Sequence, residues 1–111
     1  MHKDNNRLLL EIDKTIRELN RDIINPQIPQ LMLDDLAPVM AMVARSRATY
    51  LKELFDLANV VGESQPSPDQ VRQLRQLREA YEELVAGAQS LETAIQRGYL
   101  DVQGGEAPAE D

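Results

Sequence analysis

Residues 67–98 read SPDQVRQLRQLREAYEELVAGAQSLETAIQRG, and this stretch decides the fold. Its apolar positions, Leu74, Leu77, Tyr81, Leu84, Ala88, Leu91 and Ile95, alternate steps of three and four, the spacing of a seam that winds slowly around a helix packed along another helix. The start is marked three ways: Ser67 offers a capping hydroxyl, Pro68 suits the first helical position, and Gln70 completes a capping box. Gly98 marks the stop. At 1.5 Å rise per residue such a rod is roughly 45 Å long, so a chain of 111 residues has to lay other helices beside it.

Working outward, Gly62-Glu63-Ser64-Gln65-Pro66 is short enough to make the preceding helix an antiparallel neighbour. That helix is expected over about 35–62, with Asp35 as N-cap, Pro38 in its first turn, and a seam of Leu36, Met40, Val43, Tyr50, Leu54, Leu57 and Val61. Arg47 breaks this seam. Arg72, Arg75 and Arg78 sit at the dipole-disfavoured start of the third helix, and Glu53, Asp56 and Glu63 at the equally disfavoured end of the second, so a hairpin is expected to set one group against the other. The first helix is expected over about 4–25, capped by Asp4 or Asn5 and ended by Asn25-Pro26. Its seam is Leu9, Ile12, Ile16, Leu19 and Ile23, widened by Leu8 and Leu10, with Asp13 and Arg17 pairing four apart on the solvated side.

The expected fold is therefore all-α, an antiparallel three-helix bundle with coiled-coil-like seams, forming one domain over 1–102 with a disordered acidic tail at 103–111. Between the first two helices, Pro26 to Asp34 mixes prolines with Ile28, Leu31, Met32 and Leu33; it reads as a lid across one end of the bundle or as an apolar surface for a partner. Tyr99, Leu100 and Val102 are placed to fold back over the end of the third helix. Ala86-Gly87-Ala88 leaves a small-residue patch for a close helix crossing inside the bundle or at a dimer seam.

Composition removes several function classes. No cysteine is present, which excludes disulfides, thiol catalysis and cysteine-held metals. The net charge of −7 and a pI near 4.7 oppose binding to nucleic acid. The apolar runs are too short for a signal peptide or a membrane span, and a cytoplasmic location is expected. A single histidine, His2, stands outside the bundle, so carboxylate groups such as Glu79, Glu82 and Glu83 have no nitrogen ligand beside them, and Ser46, Thr49, Ser90 and Thr93 have no base to activate them. No cofactor is implied.

Leu10-Glu11-Ile12-Asp13 resembles the Ile-Asp stretch in the first helix of the all-α chorismate mutases, which are also short chains of three helices. Leu9 stands where that family has an arginine, and the inward cations that grip a dicarboxylate are missing, so the likeness carries no site residue across.

Two functional expectations remain. The first is a non-catalytic protein–protein interaction module, an adaptor, small acidic chaperone or structural component that self-associates and binds a protein partner, with Ile28, Leu31, Met32, Val85 and Gly87 as its candidate partner or dimer surface. Flanking apolar residues such as Leu8, Leu10, Val39, Leu51, Phe55, Val71 and Val85, beyond what three helices of this size readily hide, support it. The alternative is a small-anion-binding protein or compact all-α enzyme, with a pocket of Arg47, Tyr50 and Tyr81.

Overall fold

The computed structural model describes residues 2–28 and 31–103. It is an all-α helical bundle of three helices: α1 (His2–Ile24), α2 (Leu33–Val61) and α3 (Pro68–Gln96), with a single 3-10 turn at Asn25–Gln27 after α1. The chain forms two compact units. One draws on both ends of the chain, up to Asp35 and from Leu91 onward; the other is Leu36–Ser90.

The helix ends follow local chemistry. At the start of α3 the capping box closes reciprocally: Ser67 N–H donates to Gln70 Oε1 at 2.8 Å, and Gln70 N–H donates to Ser67 Oγ at 3.1 Å. α2 stops at Gly62, whose φ of +57° suits glycine and whose N–H donates to the Ala58 carbonyl at 3.1 Å. α3 stops at Gly98, φ +78°, where Gly98 N–H donates to the Ile95 carbonyl (3.1 Å) and Tyr99 N–H to the Ala94 carbonyl (2.8 Å), a Schellman pair. The chain then turns back, and Leu100, 3% exposed, is the most buried of the core side chains.

α2 begins two residues earlier than expected, and the cause is tertiary. Gln103 lies in an isolated parallel bridge with Met32: Leu33 N–H donates to the Gln103 carbonyl at 2.9 Å, and Gln103 N–H donates to the Leu31 carbonyl at 2.8 Å. A carbonyl from the far end of the chain thus satisfies one of the donors that an α-helix start leaves open. Asp35 is then not the N-cap but the third helical residue, and its Oδ2 accepts from Met32 N–H at 2.8 Å. Pro38 accordingly falls in the second turn rather than the first, with one backbone bond forgone. Gln103 itself is held by these two bonds; the acidic tail after it, 104–111, lies outside the described residues.

Within the unit Leu36–Ser90, α2 and α3 form an antiparallel hairpin. The seam expected on α3 is the covered one: Leu74, Leu77, Tyr81, Leu84 and Ala88 are all half-buried or better. On α2 the covered line is Leu36, Val39, Val43, Ser46, Tyr50, Glu53, Leu57 and Val61, with Val43 and Leu57 buried. Met40, Arg47 and Leu54, expected on the seam, lie one step round the helix and are exposed. The charges differ from expectation too. Arg72 pairs with Asp69, Arg75 with Glu79 at 3.9 Å and Lys52 with Asp56 at 2.7 Å, each inside its own helix, because residues three or four apart reach each other without crossing the hairpin.

Candidate functional site, the outward face of the first helix

In the unit built from the two chain ends, α1 turns a polar edge inward. Asp13, Asn20, Arg21 and Ile24 are its half-buried residues. Two clamps hold that edge to the turn after α3. Arg21 makes a forked pair with Asp101, Nη1 to Oδ1 at 3.1 Å and Nη2 to Oδ2 at 2.6 Å, and Nη1 also donates to the Gly98 carbonyl at 2.9 Å. Arg97 Nη2 donates to Asp13 Oδ1 at 2.7 Å, while the other oxygen of Asp13 accepts from Arg17 at 2.6 Å. Asp13 and Arg17 do pair four apart, as the sequence suggests, with both side chains open to solvent.

The clamps leave an electrostatic trace. The bond from Arg21 holds the Asp101 carboxyl below the usual carboxylate range, and the same bond raises Arg21. Arg97 is raised first by Tyr99, over whose ring it lies at 6.0 Å, and then by Asp13. All of these side chains are open to solvent, so the clamps orient the helix more than they stabilise it.

About 100° around the helix from this edge, the seam Leu9, Ile12, Ile16, Leu19 and Ile23 faces outward, each residue 43–63% exposed, with Leu8 exposed beside it; Leu10 is exposed on the other side of the helix. This is the principal departure from expectation: the seam on α1, which the sequence reading placed in the core, is exposed along its whole length. Six large aliphatic side chains lie along one side of the helix in consequence, presenting on the order of 600 Å² of apolar surface, at the top of the range for the largest patch on a typical monomer.

The residues singled out from sequence fall into different places. Ile28 and Met32 are exposed, while Leu31 is buried and belongs to the chain's own packing. Val85 is half-buried and Gly87 is exposed; a methyl group at Gly87 would meet nothing within 4 Å, so no close crossing within the chain requires a glycine there. Arg47, Tyr50 and Tyr81 do come together. Arg47 Nε donates to Tyr81 Oη at 3.0 Å with its guanidinium carbon 5.3 Å from the Tyr81 ring centre, and the Tyr50 and Tyr81 rings stack at 6.3 Å and 22°. Tyr50 and Tyr81 are half-buried, but Arg47 is exposed, lying over the seam as a lid and not inside it. Among the described residues no three His, Cys, Asp or Glu side chains gather as metal ligands, and no helix is long and apolar enough to cross a membrane.

The two clamps are what sequence reasoning missed. The signal was present only as arginines at 21 and 97 on otherwise unremarkable positions, whose partners lie 77 or more residues away. No family model, no curated protein and no solved structure matches this chain.

Proposed function

We propose that this protein is a non-catalytic protein–protein interaction module of the cytoplasm, and that it recognises another protein through the outward face of α1. The observation that carries the reading is the exposed heptad line Leu9, Ile12, Ile16, Leu19 and Ile23. A partner helix with a matching three-four seam is the natural complement, since knobs from one helix fill holes on the other. The pairing of Arg21 with Asp101 and of Arg97 with Asp13 supports it further, because each clamp takes up the polar edge of α1 and leaves its apolar side free for a partner.

A photo-crosslinking residue substituted for Ile16, expressed in the source cell, tests this directly. A discrete crosslinked protein product, absent when the same residue replaces the solvent-facing Lys14, is the expected result. A chain that forms no protein adduct from position 16 at any expression level overturns the proposal.

Binding of a small anion at Arg47 is a second reading, favoured by one observation: the Arg47 Nε bond to Tyr81 leaves both terminal nitrogens with no hydrogen bond among the described residues. A thermal-shift screen over small carboxylates and phosphates tests it, because a ligand at a hundred times its dissociation constant adds about 2.7 kcal/mol. Unchanged melting temperatures across the screen, or shifts that survive Arg47→Met, remove this reading.

A further inference from the structure

The inference that follows rests on the reading of α1 as a recognition face and names its occupant. We infer that the occupant is a second copy of the same chain, the α1 seams of two copies packing against each other to make a homodimer.

Three observations converge on it. The first is area. The exposed apolar side of α1 offers most of the ~800 Å² that each partner contributes to a standard interface, and it does so on a single helix face of a kind that two-fold symmetry sets against itself. The second is charge. α1 carries five Lys and Arg residues (Lys3, Arg7, Lys14, Arg17, Arg21) and five Asp and Glu residues (Asp4, Glu11, Asp13, Glu18, Asp22), so the chain's entire net charge of −7 lies outside it. Two acidic chains repel, and α1 is the segment on which they approach without a like-charge penalty.

The third observation is periodicity. Leu9, Ile12, Ile16, Leu19 and Ile23 keep strict three-four steps with aliphatic residues throughout, over a rise of roughly 21 Å. The other outward apolar line, on α2, runs through Met40, Leu51, Leu54 and Phe55 and is interrupted by Arg47. A lipid surface fits α1 less well than a second copy does: five carboxylates on a helix of no net charge give no attraction to anionic headgroups.

The chain has no cysteine, so one introduced is a unique handle. Sedimentation equilibrium of the full chain is expected to give twice the 12.5 kDa of one copy at high concentration, falling to the single-copy mass on dilution. Ile12→Asp with Leu19→Asp is expected to raise the dissociation constant by about 100-fold or more, while far-ultraviolet circular dichroism of the dilute protein stays helical. Thr15→Cys, on the flank of the seam, is expected to join two copies through a bismaleimide, and Ser64→Cys, in the hairpin turn, is not.

Single-copy mass at every concentration overturns the inference. So does a dimer untouched by the double substitution, which puts the interface elsewhere, and so does a double variant that loses its helicity when dilute, which assigns the seam to the chain's own core. Ile16→Ala provides a milder change for that last arm: a melting temperature unchanged in dilute solution and a weakened dimer are expected together. Retention of a monomeric chain on neutral vesicles, lost with Ile12→Asp and Leu19→Asp, overturns it in favour of a membrane surface. A monomer whose position 16 still crosslinks to a different protein ends the homodimer and leaves the interaction module standing; no adduct of any kind ends both.

Discussion

α1 and α3 carry almost the same pattern of apolar residues and put it to opposite use. On α3, Leu74, Leu77, Tyr81 and Leu84 are covered in the hairpin with α2. On α1, Leu9, Ile12, Ile16, Leu19 and Ile23 face solvent, while the half-buried Asp13 and Arg21 hold the edge toward the turn after α3. A heptad seam therefore states that one side of a helix is built to be hidden, without stating by what. The α2–α3 hairpin hides its seam because a connection of a few residues brings a complementary seam alongside. α1 is joined to the turn after α3 by the Arg21–Asp101 fork and the Arg97–Asp13 bond, which hold position without consuming apolar surface.

The largest test of this contrast sets Leu57 against Leu19. Leu57→Ala, at a buried position of the hairpin, is expected to cost about 2–4 kcal/mol in denaturant unfolding, since it opens a cavity the surroundings only partly fill. Leu19→Ala, measured in solution too dilute for association, is expected to cost less than about 0.5 kcal/mol, as at ordinary surface positions. Equal costs would break the comparison and return α1 to the core.

A smaller effect separates two glycines of the α3 region. Gly98 has a φ of +78°, so Gly98→Ala is expected to lose about 1–2 kcal/mol. Gly87 lies inside the helix with open space around it, so Gly87→Ala is expected to gain about 1 kcal/mol. A loss at Gly87 measured only when the protein is associated would extend the proposed interface onto α3.

The smallest expected effect is at acid pH. Asp101 is depressed in the folded chain by its bond from Arg21, so the stabilisation it provides is fully present above the ordinary carboxylate range and fades as pH falls through its lowered folded value. Asp101→Asn is expected to flatten that part of the acid limb in a pH series of melting temperatures and to leave neutral-pH helicity unchanged. An acid limb identical in the two proteins would show that the clamp only orients α1.

Much of this was legible in the residues themselves. Ser67, Pro68 and Gln70 specified the start of α3, Gly62 and Gly98 the ends of α2 and α3, and Leu100 the return over the α3 terminus. These are short-range matters, decided by backbone donors, a φ angle and a proline within one turn of each other. Arg47 was legible as an anomaly and its neighbours Tyr50 and Tyr81 as companions, but not its side of the helix, because covering positions of Ser46 or Arg47 differ by a single step of 100°.

Sequence by itself determined three helices, their period, the turn between α2 and α3, and the acidic surface, since each follows from interactions among residues a few positions apart. Tertiary structure alone decided where α2 begins, because the carbonyl that meets its first donor comes from Gln103. It also decided which side of α1 is covered. Arg21 and Asp101 are eighty positions apart, and nothing in the local pattern of either predicts that their fork would turn five aliphatic residues outward.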